Sequence, residues 1–318
     1  LLATLARVTN SSRIRYVLGS GSRSENFSSA LSQKGTAMHD KSILVTGCSS
    51  GIGHCVALGL KERGYRVFAT ARRREDLLAL GRQGVTAVEL HLDDPRSVAT
   101  AAREVLEAAG GHVYGLFNNG AYGQAGAVED LRWEVLEMQL RTNLLGWHEL
   151  TRLLIPGMRK KGEGRIIQNS SVLGLVAMPY RGAYNCSKFA LEGLTDTLRL
   201  ELHGSGIHVS LIEPGPIASR FRDNSLLKFK ANIDIENSVH RDSYRAMQTR
   251  LEKEGPSTSF TLPPEAVLKK VIHALESPHP RPRYAVTTPT YVFGALRRVL
   301  STRQLDWLLR KASGGGSR

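Results

Sequence analysis

Cysteine is scarce. The 318 residues hold three, Cys48, Cys55 and Cys186, an odd number with no C-x-x-C spacing. That argues against a disulfide framework and a zinc ribbon, and makes a reducing compartment, the cytoplasm, the expectation. No metal-ligand spacing stands out among the His, Cys and acidic residues either, so no metal is expected. Acids are also short, with 29 Asp and Glu against 43 Lys and Arg, a net charge of +14. Such an excess suits nucleic acid, an anionic membrane surface or a phosphate-bearing small molecule, and charge alone does not choose among them. The arginines are scattered and no nucleic-acid module is recognisable, so nucleic acid is not the expected partner. No run of 18 apolar residues occurs, which leaves no conventional membrane-spanning helix. What remains is an ordinary globular balance, 41% hydrophobic and 23% charged, in a chain long enough to bury a substantial core.

The two ends differ from this body. Residues 1–37 carry eight Ser and five basic residues against the single acid Glu25, without hydrophobic periodicity, and Met38 follows. The stretch reads as a disordered or non-native N-terminal extension, either a Ser/Arg-rich targeting peptide or sequence ahead of a start at Met38. Residues 313–318, Ser-Gly-Gly-Gly-Ser-Arg, read as a flexible tail. A single domain is expected over 38–312.

From Lys41 short apolar runs alternate with longer helical patterns, the signature of βαβ units around a parallel sheet. Strands are expected at Ser42–Val45, Val67–Ala71, Val85–Leu92, Gly115–Asn118, Arg165–Asn169 and His208–Ile212, with long helical stretches at Leu131–Met158 and Tyr184–Leu202. The order matches a doubly wound sheet. Between Pro214 and Pro263 periodicity fades over a length unusual for a plain loop, so a lid over a site is expected at about 216–262.

The first strand runs into Thr46-Gly47-Cys48-Ser49-Ser50-Gly51-Ile52-Gly53 as a helix begins. Gly47 permits a tight turn, Gly51 lets backbone approach a pyrophosphate, and Gly53 allows close packing of helix on sheet. The helix N-terminus adds partial positive charge, so the turn is an anion site built from backbone. A plain βα loop has glycines too, but the spacing T-G-x-x-x-G-x-G resembles that of the short-chain dehydrogenase/reductase family. The resemblance implies an α/β Rossmann-type fold, a doubly wound parallel sheet with helices on both faces, and an oxidoreductase whose cofactor is held by Gly47, Ser49, Ser50, Gly51, Ile52 and Gly53.

The second strand ends Ala71-Arg72-Arg73, where an acid would hold the ribose hydroxyl of NAD. No acid is there, and two guanidinium groups suit the 2′-phosphate of NADP(H), which is therefore the expected cofactor, with NAD(H) as the alternative. The competing reading of Arg72 to Arg74 is a solvated charge run opening a helix. Asp93 matches the family position that bonds the adenine amino group, while Asp94 is placed to cap a helix starting at Pro95. Phe117-Asn118-Asn119-Gly120-Ala121 resembles the family's N-N-A-G segment with Gly and Ala exchanged, and Asn119 is implied beside the cofactor.

Tyr184 and Lys188 stand at i and i+4, on one helical face. Ser171 lies 13 positions before Tyr184 and Asn143 falls on the long preceding helix. Together they match the family's Asn-Ser-Tyr-Lys tetrad. The resemblance assigns Tyr184 as general acid/base, Ser171 as a donor to the same substrate oxygen, Lys188 as the group that lowers the tyrosine pKa and holds the ribose, and Asn143 as the anchor of a water reaching Lys188. Tyr184 and Lys188 thus also touch the cofactor. Glu213-Pro214-Gly215-Pro216-Ile217-Ala218-Ser219 matches the segment over the nicotinamide, so Pro214, Gly215, Ile217 and Ser219 are implied in cofactor binding, Ser219 standing where the family has Thr.

Tyr122, Val172, Leu173, Leu175, Pro179, Tyr180, Ile217 and Phe221 flank the tetrad in sequence, suggesting an apolar pocket, although several suit a core equally well. The wording of these motifs is similar to bacterial NADP-dependent aldehyde reductases and to retinol and 17β-hydroxysteroid dehydrogenases. A hydrophobic aldehyde or ketone reductase is the leading reading, a steroid- or retinoid-type alcohol dehydrogenase the next. A non-catalytic NADP(H)-sensing protein is the rival from another class, and the intact tetrad argues against it. The family also implies a homo-oligomer. Cys48 and Cys186 read as small fillers. Finally, Tyr291–Leu300 with Trp307–Lys311 forms a basic amphipathic region, whose apolar face either packs on the body or a partner subunit or makes peripheral contact with an anionic membrane.

Overall fold

Runs as short and as apolar as Ile43-Leu44-Val45 cannot face water on either side, so they belong in the middle of a sheet covered on both faces. In the computed structural model, which describes residues 40–313 apart from 253–254 and 256–257, they do. The expected N-terminal extension and most of the C-terminal tail lie outside the described residues. β1 (Ser42–Val45) pairs in parallel with β2 (Arg66–Ala71) and β4 (Gly115–Asn118). With β3 (Thr86–Glu89), β5 (Gly164–Asn169), β6 (Ile207–Glu213) and β7 (Arg283–Ala285) the order is β3-β2-β1-β4-β5-β6-β7, parallel throughout.

Helices α1 (Gly51–Glu62), α2 (Arg74–Arg82) and α3 (Pro95–Ala108) connect the first strands, followed by α4 (Trp133–Leu140), α5 (Gly146–Lys161) and α6 (Gly182–Glu201). Beyond β6 come α7 (Phe221–Asn232), α8 (Arg241–Glu252), α9 (Glu265–Glu276), α10 (Thr288–Val299) and α11 (Thr302–Ala312). Strand alternation sends Ile43, Val45, Val67 and Phe117 to a core with Val56 and Leu60 of α1 and Val267 and Val271 of α9. Leu44, Phe68, Leu116 and Ile166 face the other way, onto Val98 and Val105 of α3, Trp147, Leu150 and Leu154 of α5, and Leu191 of α6. The sheet is thus doubly wound, and its topological switch point lies between β1 and β4, where such sheets open a ligand crevice at the carboxyl ends of the strands.

Several boundaries differ from the sequence reading. β3 stops at Glu89 because its pairing with β2 ends where Ala71 meets Glu89, so Leu90 to Leu92 run on beyond the ladder. The expected helix Leu131–Met158 is α4 and α5 joined by a π-turn over Arg141–Leu145. β7, three residues long, carries too little pattern to read.

The expected lid segment holds two helices. Its ends are pinned together, with a bridge between Ile217 and Leu262 and the Ala218 amide donating to the Leu262 carbonyl at 2.9 Å. Between them α7 and α8 bury Phe229, Ile233, Tyr244, Met247 and Leu251 against Ala125 and Ala127, a core separate from those of the sheet. Periodicity fades in the sequence because α7 buries only Ser225 and Phe229.

Candidate active site

The crevice between β1 and β4 is closed by a shared hydroxyl. Thr46 Oγ1 accepts from the Asn119 amide at 2.7 Å and the Gly120 amide at 2.9 Å, while Asn119 Nδ2 donates back to the carbonyls of Thr46 at 3.0 Å and Gly47 at 3.3 Å. The two strand ends come so close that a Cβ on Gly47, which has φ of +70°, would stand 2.5 Å from Gly120 Cα. A Cβ on Gly53 would strike the Gly47 carbonyl. Glycine is therefore required at both places.

Whether this turn fits a dinucleotide is tested by its donors. Ser50, the N-cap of α1, makes no side-chain cap, so no side-chain cap occupies the first-turn amides at Gly51, Ile52 and Gly53. An uncapped helix N-terminus preceded by bare glycine backbone has the shape and polarity of a phosphate site. Ser49 sits at its edge, where its carbonyl accepts from Arg220 at 3.1 Å. Ser219 closes the same turn from the lid side, its Cβ 2.8 Å from where a Cβ on Gly51 would lie.

At the end of β2 the two arginines differ. Arg73 is held by Asp76 at 3.0 Å and Glu75 at 2.9 Å. Arg72 is exposed and has no hydrogen bond or ion pair among the described residues. Asp93 is half-buried beside Tyr122, whose phenol is pushed up to about 12 by burial and, to a smaller extent, by the Asp93 charge. Asp94 caps α3 as expected, accepting from the Arg96 amide at 2.9 Å.

The π-turn accounts for Asn143. One extra residue in the helical turn rotates this side chain inward, where it is fully buried. Its Nδ2 donates to the Tyr122 carbonyl at 2.8 Å and reaches Ser187 Oγ at 3.3 Å, and its Oδ1 accepts from the Tyr122 amide at 3.2 Å. No direct bond joins it to Lys188.

Ser171 caps the short turn Val172–Gly174, accepting from the Leu173 amide at 3.1 Å, and its hydroxyl lies close enough to the Tyr184 phenol to pull its pKa down. Tyr184 and Lys188 are both buried on α6. Phe221, first residue of α7, packs edge-on against the Tyr184 ring at 5.3 Å between centroids, in space left by Gly123, where a Cβ would lie 2.7 Å from the Phe221 ring. Lys188 Nζ donates to the Asn169 carbonyl at 2.7 Å and lies 4.3 Å from the centre of the Trp147 ring.

Burial pushes the Tyr184 phenol up to about 12, against a smaller opposing effect of the Ser171 hydroxyl. Burial likewise drives Lys188 down to about 7, against a smaller opposing pull from Glu192. The Lys188 ammonium is turned toward Asn169 and Trp147. A Lys whose folded pKa lies below its unfolded value destabilises the fold most at low pH, and that cost fades as pH rises from about 7 toward the ordinary value. Lys188→Met is accordingly expected to raise Tm at pH 6 by several degrees and to lose this advantage by pH 10, a comparison that scanning calorimetry at the two pH values makes directly.

Sequence reasoning missed four residues of this neighbourhood: Trp147, Asn169, Glu192 and Arg283. Trp147 lies one turn after Asn143, which was the available signal. The others depend on long-range packing. Cys48 is a buried filler, its thiol pushed up to about 12 by burial, but Cys186 is exposed on α6 and fills nothing, because that helix face points outward. Val172 packs with Val176 and Leu309 of α11, and Tyr180 with the lid core, so these two suggested pocket residues serve as core. A cleft of about 540 Å³ between α7 and α8, lined by Arg222, Leu226, Leu251 and Glu252, meets the cofactor segment at Ser219 and touches no member of the tetrad.

Pro214 accepts from the Val172 amide at 2.8 Å, and Gly215 lies against Thr287 so closely that a Cβ would collide with the threonine hydroxyl. Ile217 follows at the lid bridge. The crevice is thus walled by the glycine turn, the tetrad and this segment.

Comparison with known proteins agrees with the geometry. The family model described as short chain dehydrogenase matches residues 41–228. The uncharacterized oxidoreductase YbbO of Escherichia coli K12 is 44% identical over 270 residues, covering 85% of this chain and 94% of that protein. The 17-beta-hydroxysteroid dehydrogenase type 6 of Rattus norvegicus is 34% identical over 286 residues, covering 86% and 88%. A solved serine dehydrogenase complexed with NADP+ is 25% identical with a TM-score of 0.65, covering 78% of this chain and 95% of that one. With a family model spanning more than half its length and relatives matched almost end to end, this chain belongs to the short-chain dehydrogenase family of NAD(P)-binding oxidoreductases.

Proposed function

We propose that the protein reduces hydrophobic aldehydes or ketones with NADP(H), and oxidises the matching alcohols in reverse, with Tyr184 as proton donor and acceptor. The observation that carries this reading is the Ser171–Tyr184–Lys188 group set beside a phosphate turn at the sheet's switch point. Bound, the nicotinamide supplies a hydride to the carbonyl carbon. Ser171 orients the carbonyl oxygen by hydrogen bond, and Tyr184 transfers its phenolic proton to that oxygen as negative charge develops there. A phenol pushed up to about 12 is protonated at neutral pH, the state that reduction needs. Lys188 lies one turn from Tyr184, near enough to hold ribose hydroxyls and to offset a phenolate. Gly47, Gly51, Ile52 and Gly53 supply the phosphate cradle, and unpaired Arg72 favours the 2′-phosphate of NADP(H) over NAD(H). Asp93 and Asn119 line the adenosine side, and Pro214, Gly215, Ile217 and Ser219 the nicotinamide side. The test is absorbance at 340 nm with NADPH, then NADH, against a panel of medium-chain and aromatic aldehydes. NADPH oxidation dependent on a carbonyl supports the reading; nucleotide binding without turnover of any carbonyl or alcohol overturns it in favour of a sensor.

The similarity to a protein named 17-beta-hydroxysteroid dehydrogenase favours a second reading, an alcohol dehydrogenase of steroid- or retinoid-like substrates. The same assay with hydroxysteroids and retinol, run with the oxidised nucleotides, separates the two.

Two partner proposals accompany this function. A homo-oligomer is favoured by large apolar side chains exposed on α4 and α6, Trp133 at 78% and Leu200 at 72%, and light scattering reads its mass. Peripheral contact with anionic lipid is favoured by the C-terminal helices. Phe293, Leu305 and Leu309 pack on Val172 and Val176, which uses the inner face, yet Tyr291, Val292 and Val299 of α10 and Trp307 of α11 remain exposed. Arg303, Arg310 and Lys311 surround Trp307 without ion pairs among the described residues, Lys311 lying 4.1 Å from its ring centre. No helix among the described residues is long and apolar enough to cross a membrane, so the contact would be superficial. Replacing Arg310 and Lys311 by Gln is expected to weaken sedimentation with phosphatidylglycerol vesicles about fivefold for each charge removed, and to leave phosphatidylcholine vesicles unaffected.

A further inference from the structure

Tyr184, Lys188 and Glu192 follow one another at single helical turns along the buried face of α6. Glu192 is a carboxylate with its side chain 8% exposed, and it is fully engaged. One oxygen accepts from Ser170 Oγ, the residue next to Ser171, and the other pairs with Arg283 of β7. The same guanidinium donates to Glu213 at 2.6 Å, at the end of β6 just before Pro214, and to Asp196 of α6 at 2.6 Å. Arg283 therefore joins three parts of the proposed site: the catalytic helix, the strand end carrying Ser171, and the segment leading over the nicotinamide. Glycine at 174 makes room for this, since a Cβ there would lie 2.8 Å from Ser170 Oγ and 2.9 Å from Glu192 Cγ.

Stability does not explain such an arrangement. Two buried carboxylates on one guanidinium carry a large desolvation cost, and well-packed apolar side chains would hold helix, strand and loop together at least as well. What apolar packing cannot supply is a fixed hydroxyl partner for Ser170 and a negative charge one turn below Lys188. The groups facing Lys188 are the Tyr184 ring from its own helix, the Trp147 ring from α5, the Asn169 carbonyl from β5, and Glu192. Glu192 in turn faces Ser170 and Arg283, with Glu213 and Asp196 across the guanidinium, Arg199 on Asp196, and Arg298 acting on Glu213. Glu192 is the one anionic group in the set around Lys188.

We propose that Glu192, held by Arg283, is a positioning residue for proton transfer: it fixes the Ser170–Ser171 strand end and sets a negative charge one helical turn from Lys188. This rests on the reductase reading above. With Glu192 in place the ammonium persists to higher pH than it would beside a neutral side chain.

Glu192→Gln tests this, because the amide keeps the shape and an acceptor for Ser170 while removing the charge. In the full chain it is expected to lower kcat for NADPH-dependent reduction about tenfold with the aldehyde KM within twofold, and to move the alkaline fall in kcat to lower pH by half a unit or more. Arg283→Lys, which keeps the charge but not the three-way fork, is expected to fall between wild type and Glu192→Gln. Should Glu192→Gln leave the alkaline limb in place while kcat tracks the folded fraction, the network is structural only and the proposal is overturned. A readout free of turnover separates this from failure of the reductase reading: the titration midpoint of Lys188, followed by NMR in ¹³C-lysine-labelled protein and identified by the signal missing from Lys188→Met. A lower midpoint in Glu192→Gln supports the inference even if no carbonyl is reduced, and an unchanged midpoint overturns it.

Discussion

Tyr184→Phe is expected to lower kcat for carbonyl reduction by about 10³-fold, within the span that a positioned general acid contributes, while leaving NADPH binding within a few-fold. The ring itself stays. Phe at 184 keeps the edge contact to Phe221, which involves carbon atoms only, and leaves the Lys188 bond to the Asn169 carbonyl untouched. What goes is the one proton that Ser171 cannot replace, because an aliphatic alcohol is a far weaker acid than a phenol and the Ser171 oxygen already serves the Leu173 amide. Stopped absorbance at 340 nm reads the turnover, and quenching or enhancement of NADPH fluorescence reads the binding. Equal loss of both would mean that the substitution had disturbed the fold. Retained turnover would remove Tyr184 from the chemistry.

Tyr184 was legible in the sequence because the tetrad lies on regular elements at short, fixed spacings. Tyr184 and Lys188 need only one helical turn, and Ser171 needs only the strand end before it. The glycine turn was legible for a similar reason, since Gly47 and Gly53 are demanded by backbone collisions within a single βα unit. Arg283 was not, because its partners Glu192, Asp196 and Glu213 lie 70 to 91 positions away and β7 is too short to show a period. The π-turn at Asn143 was missed because apolar spacing continues through it, and one extra residue shifts the face without interrupting the helix. The burial that acts on Tyr184 and Lys188 was not legible for a different reason. Pairwise attraction can be read from spacing, whereas desolvation depends on Phe221, Trp147 and everything else packed around them.

The contrast between Arg72 and Arg73 sets up the remaining large effect. Arg72→Ala is expected to weaken NADPH binding about 30-fold, the ~2 kcal/mol of a hydrogen bond to a charged group, and to leave NADH nearly unchanged. Arg73→Ala should cost less. Its guanidinium is already shared with Asp76 and Glu75, so any contact with a 2′-phosphate must compete with two carboxylates. The two arginines make separate demands on salt. Both side chains lie at the surface, so raising ionic strength from 0.05 to 0.5 M should narrow the NADPH preference of the wild type and shrink the Arg72→Ala effect with it. Affinities for NADPH, NADH and 2′-AMP measured at both salt concentrations decide the matter. If 2′-AMP loses affinity in parallel with NADPH, the phosphate is the group recognised. If Arg72→Ala weakens NADPH and NADH alike, Arg72 shapes the adenosine wall without reading the phosphate, and the absence of an acid at Ala71 alone would have to explain any preference for NADP(H).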